Sequence, residues 1–74
     1  MSCRISAGWF EGLRGTITLG PRWCENVKMK CVNVALDPSE LDARMGQRVP
    51  WILDAYGRVE MTFAEDEFTA FRVR

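Results

Sequence analysis

The stretch VKMKCVNVAL, residues 27–36, alternates apolar and polar side chains and then changes step. Val27, Met29 and Cys31 fall on one side, with Lys28 and Lys30 on the other. From Val32 the apolar set switches parity to Val32, Val34 and Leu36, with Asn33 opposite. A period of two marks a half-buried strand. A strand cannot change parity and keep one apolar face unless an extra residue is inserted. Two structures satisfy the pattern: a bulge near Cys31, of the kind that bends strands in small barrels, or a strand buried on both faces beyond Cys31. In either case the centre of the chain is β.

Upstream, Cys3, Ile5 and Ala7 alternate with Arg4 and Ser6, the signature of a second short strand. Gly8, Gly12 and Gly15 then punctuate a loop, where glycine supplies backbone angles that other residues avoid. In TITLG, Ile17 and Leu19 are expected inward, with Thr16 and Thr18 outward. GPRW at 20–23 is expected as a turn, Pro21 presetting its own φ.

Downstream, DPSELDARMG predicts a helix over about 38–45. Asp37 is the N-cap, Pro38 occupies the first helical position, and Glu40 stands at capping-box spacing. Leu41 and Met45 share a face, and Gly46 supplies the stop. Two turns are too short to persist alone, so this face must dock on the sheet. In PWILDAYGRVEMTF two apolar runs flank Asp54-Ala55-Tyr56-Gly57, which fits a type I turn in a hairpin. Val59, Met61 and Phe63 alternate beyond it. After the acidic turn AEDE, Thr69, Phe71 and Val73 fall on one side of a closing strand. The expectation is a mainly β single domain over residues 1–74: five strands and one short helix, without repeat, linker or low-complexity tract.

Composition bounds the function. The chain has 74 residues, 47% of them hydrophobic and 27% charged, as in an ordinary globular domain near the lower size limit for an unstapled core. No apolar run is long enough to span a bilayer, and MSCRISAGWFEG lacks the apolar centre of a signal peptide, so a cytoplasmic, membrane-free protein is expected. Cys3, Cys24 and Cys31 are odd in number and form no C-x-x-C pair, so they read as reduced, small apolar residues. With no histidine, three thiols cannot close a four-ligand zinc site, and the commonest general base is absent. No metal, no cofactor and no enzymatic activity are expected. Residues 1–34 carry five cations against two acids, and residues 35–74 carry five arginines against eight acids, so the charges are segregated although the net charge is zero.

RISAGWFEGLRGTI, residues 4–17, resembles the KOW motif of NusG-type transcription factors and some ribosomal proteins. The matching positions are Ile5, Gly8, Phe10, Gly12, Gly15 and Ile17; AYGRVEMTF at 55–63 resembles the closing turn and strand. The resemblance implies a small SH3-like antiparallel β-barrel whose loops contact RNA, ribosomes or RNA polymerase.

Six residues are candidate contacts. Arg22 and Trp23 adjoin in an expected loop, and both residue types are enriched at interface hot spots; the alternative is that Trp23 folds back over the sheet. Trp9 adjoins Phe10, and in an extended segment only one of the two points inward. Arg14, Lys28 and Lys30 form a modest footprint for phosphate, or else the solvated face of an edge strand. Residues 65–67, EDE, are charged enough to meet a basic partner surface. Two functions follow as expectations. One is a non-enzymatic binding module contacting RNA or a transcription or translation complex. The alternative is a small phage or mobile-element inhibitor that blocks a host complex, such as a CRISPR surveillance complex or RNA polymerase. A protein complex or a nucleic acid is the expected partner, and a homodimer is compatible with exposed sheet edges.

Overall fold

The computed structural model describes residues 1–71. Five strands and one helix follow in the order β1 (Ser2–Ile5), β2 (Arg14–Cys24), β3 (Met29–Leu36), α1 (Pro38–Met45), β4 (Val59–Ala64) and β5 (Phe68–Phe71). All pairings are antiparallel, in the order β4-β3-β2-β1-β5. The expected mainly β class with one short helix is therefore present. Val73 lies outside the described residues.

β4 and β5 occupy opposite edges of this sheet, yet only residues 65–67 connect them. In a flat sheet the two edges would be about 19 Å apart, four strand spacings. Four Cα steps reach at most about 15 Å, and the Glu67 N–H bond to the Ala64 carbonyl at 2.9 Å tightens the turn further. The sheet must therefore curl. It remains open, because no ladder joins β4 to β5 among the described residues. Inside the curl lie Cys3, Ile5, Val32, Val34, Leu36, Val59 and Phe63, with Leu41 of α1 docked among them.

The parity change in β3 is resolved by burial rather than by a bulge at Cys31. β3 pairs with β4 without interruption from Cys31 opposite Ala64 to Leu36 opposite Val59. Cys31, Val32, Val34, Ala35 and Leu36 are all buried, so the strand is covered on both faces. The irregularities fall in β2, between Ile17 and Leu19 and between Leu19 and Arg22. The first inserts an extra residue, Thr18, which rotates Leu19 outward opposite Asn33 and leaves it 56% exposed. Leu19 is thus not the inward residue expected from alternation.

The second irregularity absorbs Gly20 and Pro21, where a turn was expected. β2 instead runs through them to Cys24, with the chain reversal at residues 25–28. Gly20 has φ +103°, and a Cβ there would lie 2.8 Å from the Cys31 carbonyl oxygen, so only glycine lets the strands meet at this kink. Val27 consequently leaves the strand and is exposed in the turn.

α1 spans the expected residues. Its N-cap is Asp37, whose carboxylate accepts from the Ser39 N–H at 2.9 Å and from the Ser39 hydroxyl at 2.7 Å, and Gly46 closes it in the left-handed region at φ +71°. The turn at residues 54–57 also forms. Asp54 Oδ1 accepts from the N–H groups of Tyr56 and Arg58, and the Gly57 N–H bonds the Asp54 carbonyl. Of the two apolar runs beside it only the second becomes a strand. Trp51–Leu53 has no strand partner, and Ile52 is 93% exposed.

Candidate functional site

The loop between β1 and β2 is built by its own hydrogen bonds. Gly8 turns at φ +86° and its carbonyl accepts from Glu11. The Phe10 carbonyl accepts from Leu13, and Gly12 and Leu13 exchange bonds with the two sides of the Ile5 backbone. The compact loop sets Trp9 outward, 74% exposed, and Phe10 half-buried against the core. Arg44 of α1 donates to the Trp9 carbonyl at 3.3 Å, tying the loop to the helix.

A second segment folds against the same helix. After Gly46 the chain turns back so that Asp42 Oδ1 accepts both the Val49 N–H at 3.0 Å and the Trp51 indole N–H at 2.7 Å. That pair of bonds fixes the Trp51 ring. Trp9, Phe10, Met45, Trp51, Met61 and Phe63 thereby line one open cavity of about 540 Å³. Glu67, from the turn between β4 and β5, is its single charged lining side chain among the described residues. Glu67 Oε1 accepts the Ala64 N–H at 2.9 Å, which fixes the carboxylate at the wall. Ile52 and Leu53, beside Trp51, add exposed apolar surface next in the chain. An apolar, aromatic concavity of this size with few polar groups is the usual form of a binding site. A second hollow of about 590 Å³, near Ile17, Leu19 and Phe68, has no charged side chain in its wall among the described residues.

The six residues singled out in the sequence do not converge. Trp9 belongs to the aromatic pocket. Arg14 stands at the start of β2 opposite Arg4, lining a shallow hollow with Asp37 and Arg58. Arg22, Trp23, Lys28 and Lys30 gather on the β2–β3 hairpin, where each cation except Lys30 has an internal partner among the described residues. Arg22 donates to Asn33 Oδ1 at 2.7 Å, within a polar network on the outer face that includes Thr62 and Glu60. Lys28 pairs with Glu25, whose other oxygen takes the Trp23 indole N–H at 2.7 Å. Those two donors, Lys28 first, hold the Glu25 carboxyl below its ordinary range. Lys30 lies directly across from Trp23. Lys28 does not share the strand face of Lys30 as expected, since it sits in the turn with φ +55°.

Cys24 and Cys31 come together across the same hairpin. The Cys31 thiol is pushed up to about 11, first by its hydrogen bond with Cys24 and then by burial. All three cysteines are free thiols, and no cluster of three or more potential metal ligands occurs among the described residues. Among the described residues no helix is long and apolar enough to cross a membrane. Sequence reasoning missed Trp51, Met61, Phe63 and Glu67 as a site, because they meet Trp9 only through the fold. Compared with known proteins, the chain matches no family model, no curated protein and no solved structure.

Proposed function

We propose that the chain is a non-enzymatic binding module that docks on a protein component of a macromolecular complex. One observation carries this reading: four aromatic side chains from three separate segments converge on one open cavity, with two of those segments held by hydrogen bonds to α1. Rigid aromatic anchors in a preformed concavity are what a protein interface uses to gain affinity at low entropic cost. Ile52 and Leu53, next in the chain to Trp51, are further exposed apolar side chains.

Direct phosphate binding, which the KOW resemblance implies, has weaker support. Arg22 and Lys28 on the hairpin are already engaged by Asn33 and Glu25, which leaves Lys30 as the one hairpin cation without a side-chain partner among the described residues. A compensated patch releases few counterions from nucleic acid. For the fold, the curled sheet with β1 between β2 and β5 supports reading it as a small SH3-like barrel.

Fluorescence anisotropy with labelled RNA and DNA at two salt concentrations, run beside protein capture with the native chain and Trp9→Ala, tests the function. The expected result is no salt-sensitive nucleic-acid binding, together with protein partners lost in Trp9→Ala. Micromolar, salt-sensitive RNA binding abolished by Lys28→Glu with Lys30→Glu would overturn the proposal in favour of an RNA contact.

A further inference from the structure

The side chains around the aromatic pocket also specify what enters it. We infer that the pocket takes a methylated ammonium group carried on a lysine side chain of a protein partner, an inference that rests on the pocket being a recognition site.

Trp9, Phe10, Trp51 and Phe63 line the cavity, together with the polarizable thioethers of Met45 and Met61. Aromatic faces attract cations, tryptophan most strongly, and several rings around one space form the general device for holding quaternary ammonium groups. Among the described residues Glu67 is the single charged group in that wall, and no cation forms an ion pair with it. Its Oε1 is held by the Ala64 N–H, so the negative charge is placed before any ligand arrives. Exposed Glu65 and Asp66 in the same turn carry two further negative charges. An apolar pocket whose carboxylate has no cationic partner among the described residues is complementary to one positive charge with an apolar surface.

Hydration separates a methylated ammonium from an ordinary lysine. A primary ammonium is strongly hydrated and brings three donors. As side-chain acceptors the wall offers the Glu67 carboxylate, one oxygen of which already takes the Ala64 N–H, and the Thr62 oxygen, whose proton goes to Asn33, fewer open positions than three donors need. Entry of an unmodified lysine head would leave donors without partners, a costly form of burial. Methyl groups replace those donors with surface that matches the rings. The cavity of about 540 Å³ is of small-ligand size, with room for an aliphatic stem behind the head. The exposed acids Glu65 and Asp66 of the same turn suit the flanking residues of a basic peptide better than a free small cation.

The test follows the nuclear magnetic resonance signals of the ¹⁵N-labelled full chain against three versions of one short basic peptide. One carries trimethyl-lysine, one unmodified lysine, and one the neutral tert-butyl isostere with carbon in place of the quaternary nitrogen. The trimethylated peptide is expected to move the Trp9 and Trp51 indole signals and to bind at least about tenfold tighter than either control. Glu67→Gln keeps an acceptor for the Ala64 N–H and is expected to weaken that binding several-fold while the isostere is unaffected. Equal binding of the isostere overturns the cation and leaves the pocket standing as an apolar recognition site. Choline binding as tightly as the peptide overturns the lysine source. No shift from any peptide at millimolar concentration overturns the inference, whereas partner capture insensitive to Trp9→Ala overturns the underlying reading.

Discussion

Gly15→Ala is a one-carbon change with a large expected effect. Gly15 lies opposite Cys3 in the β1–β2 ladder, on the inner side of the sheet. A Cβ there would stand 2.3 Å from Val34 Cγ1, 2.9 Å from the Ala35 carbonyl oxygen and 2.9 Å from Leu36 Cδ2. Val34 is fully buried and β-branched, so its methyl has no other rotamer to retreat to, and the carbonyl belongs to the central strand. Overpacking of this kind costs about 1–3 kcal/mol and occasionally more; three simultaneous contacts place it near 3 kcal/mol. A chain of this length has roughly 4–11 kcal/mol in total, and the melting temperature should fall by about 12–24 °C. Thermal and urea unfolding followed by circular dichroism measures this. Adding Val34→Ala opens the space the new methyl needs, so the double variant should exceed the additive expectation by about 1 kcal/mol or more. Gly8→Ala, whose Cβ meets nothing within 4 Å at φ +86°, should cost only the backbone penalty of about 1–2 kcal/mol. A Gly15→Ala variant within about 0.5 kcal/mol of the native chain, or a strictly additive double variant, would refute the close approach of β2 and β3.

Other perturbations test other parts of the fold. Leu41→Ala removes the fully buried anchor of α1 and should cost about 2–5 kcal/mol in urea unfolding. The Asp54 carboxyl is held below its ordinary range chiefly by the Arg58 N–H, with the Tyr56 N–H adding to it. Its stabilisation is therefore complete above the ordinary carboxylate value and fades as pH falls through the lowered one. Asp54→Asn retains an acceptor for the turn and should flatten the loss of thermal stability between about pH 4 and pH 2; an unchanged acid slope would contradict the role assigned to the carboxylate. For the thiols, native-state alkylation at pH 8 should label half-exposed Cys24 well before Cys3 and Cys31, whose thiols are both raised, in peptide mass spectra.

What the sequence made legible was local. α1 was readable because Asp37, Pro38 and Gly46 act within a few residues of the helix they bound, and the turn at Asp54–Gly57 for the same reason. The parity change in β3 was visible, but its explanation lay in neighbours covering both faces of the strand. Gly20 and Pro21 carry turn chemistry, yet pairing with β3 keeps β2 extended through them and turns that chemistry into a bulge. Trp51–Leu53 has strand composition but no strand to pair with, so its apolar side chains remain at the surface. The pocket was illegible because the residues that join Trp9 stand 36 to 58 positions further along the chain, and only the curl of the sheet and the Asp42–Trp51 bond bring them together.

The most direct test of the pocket as a docking site is photo-crosslinking in cells that produce the protein. A benzophenone amino acid replaces Trp9 in one version and Lys30 on the β2–β3 hairpin in another. Discrete protein adducts from position 9, resistant to nuclease and absent from position 30, are the predicted result. Nuclease-sensitive adducts from position 30 with none from position 9 would contradict the account.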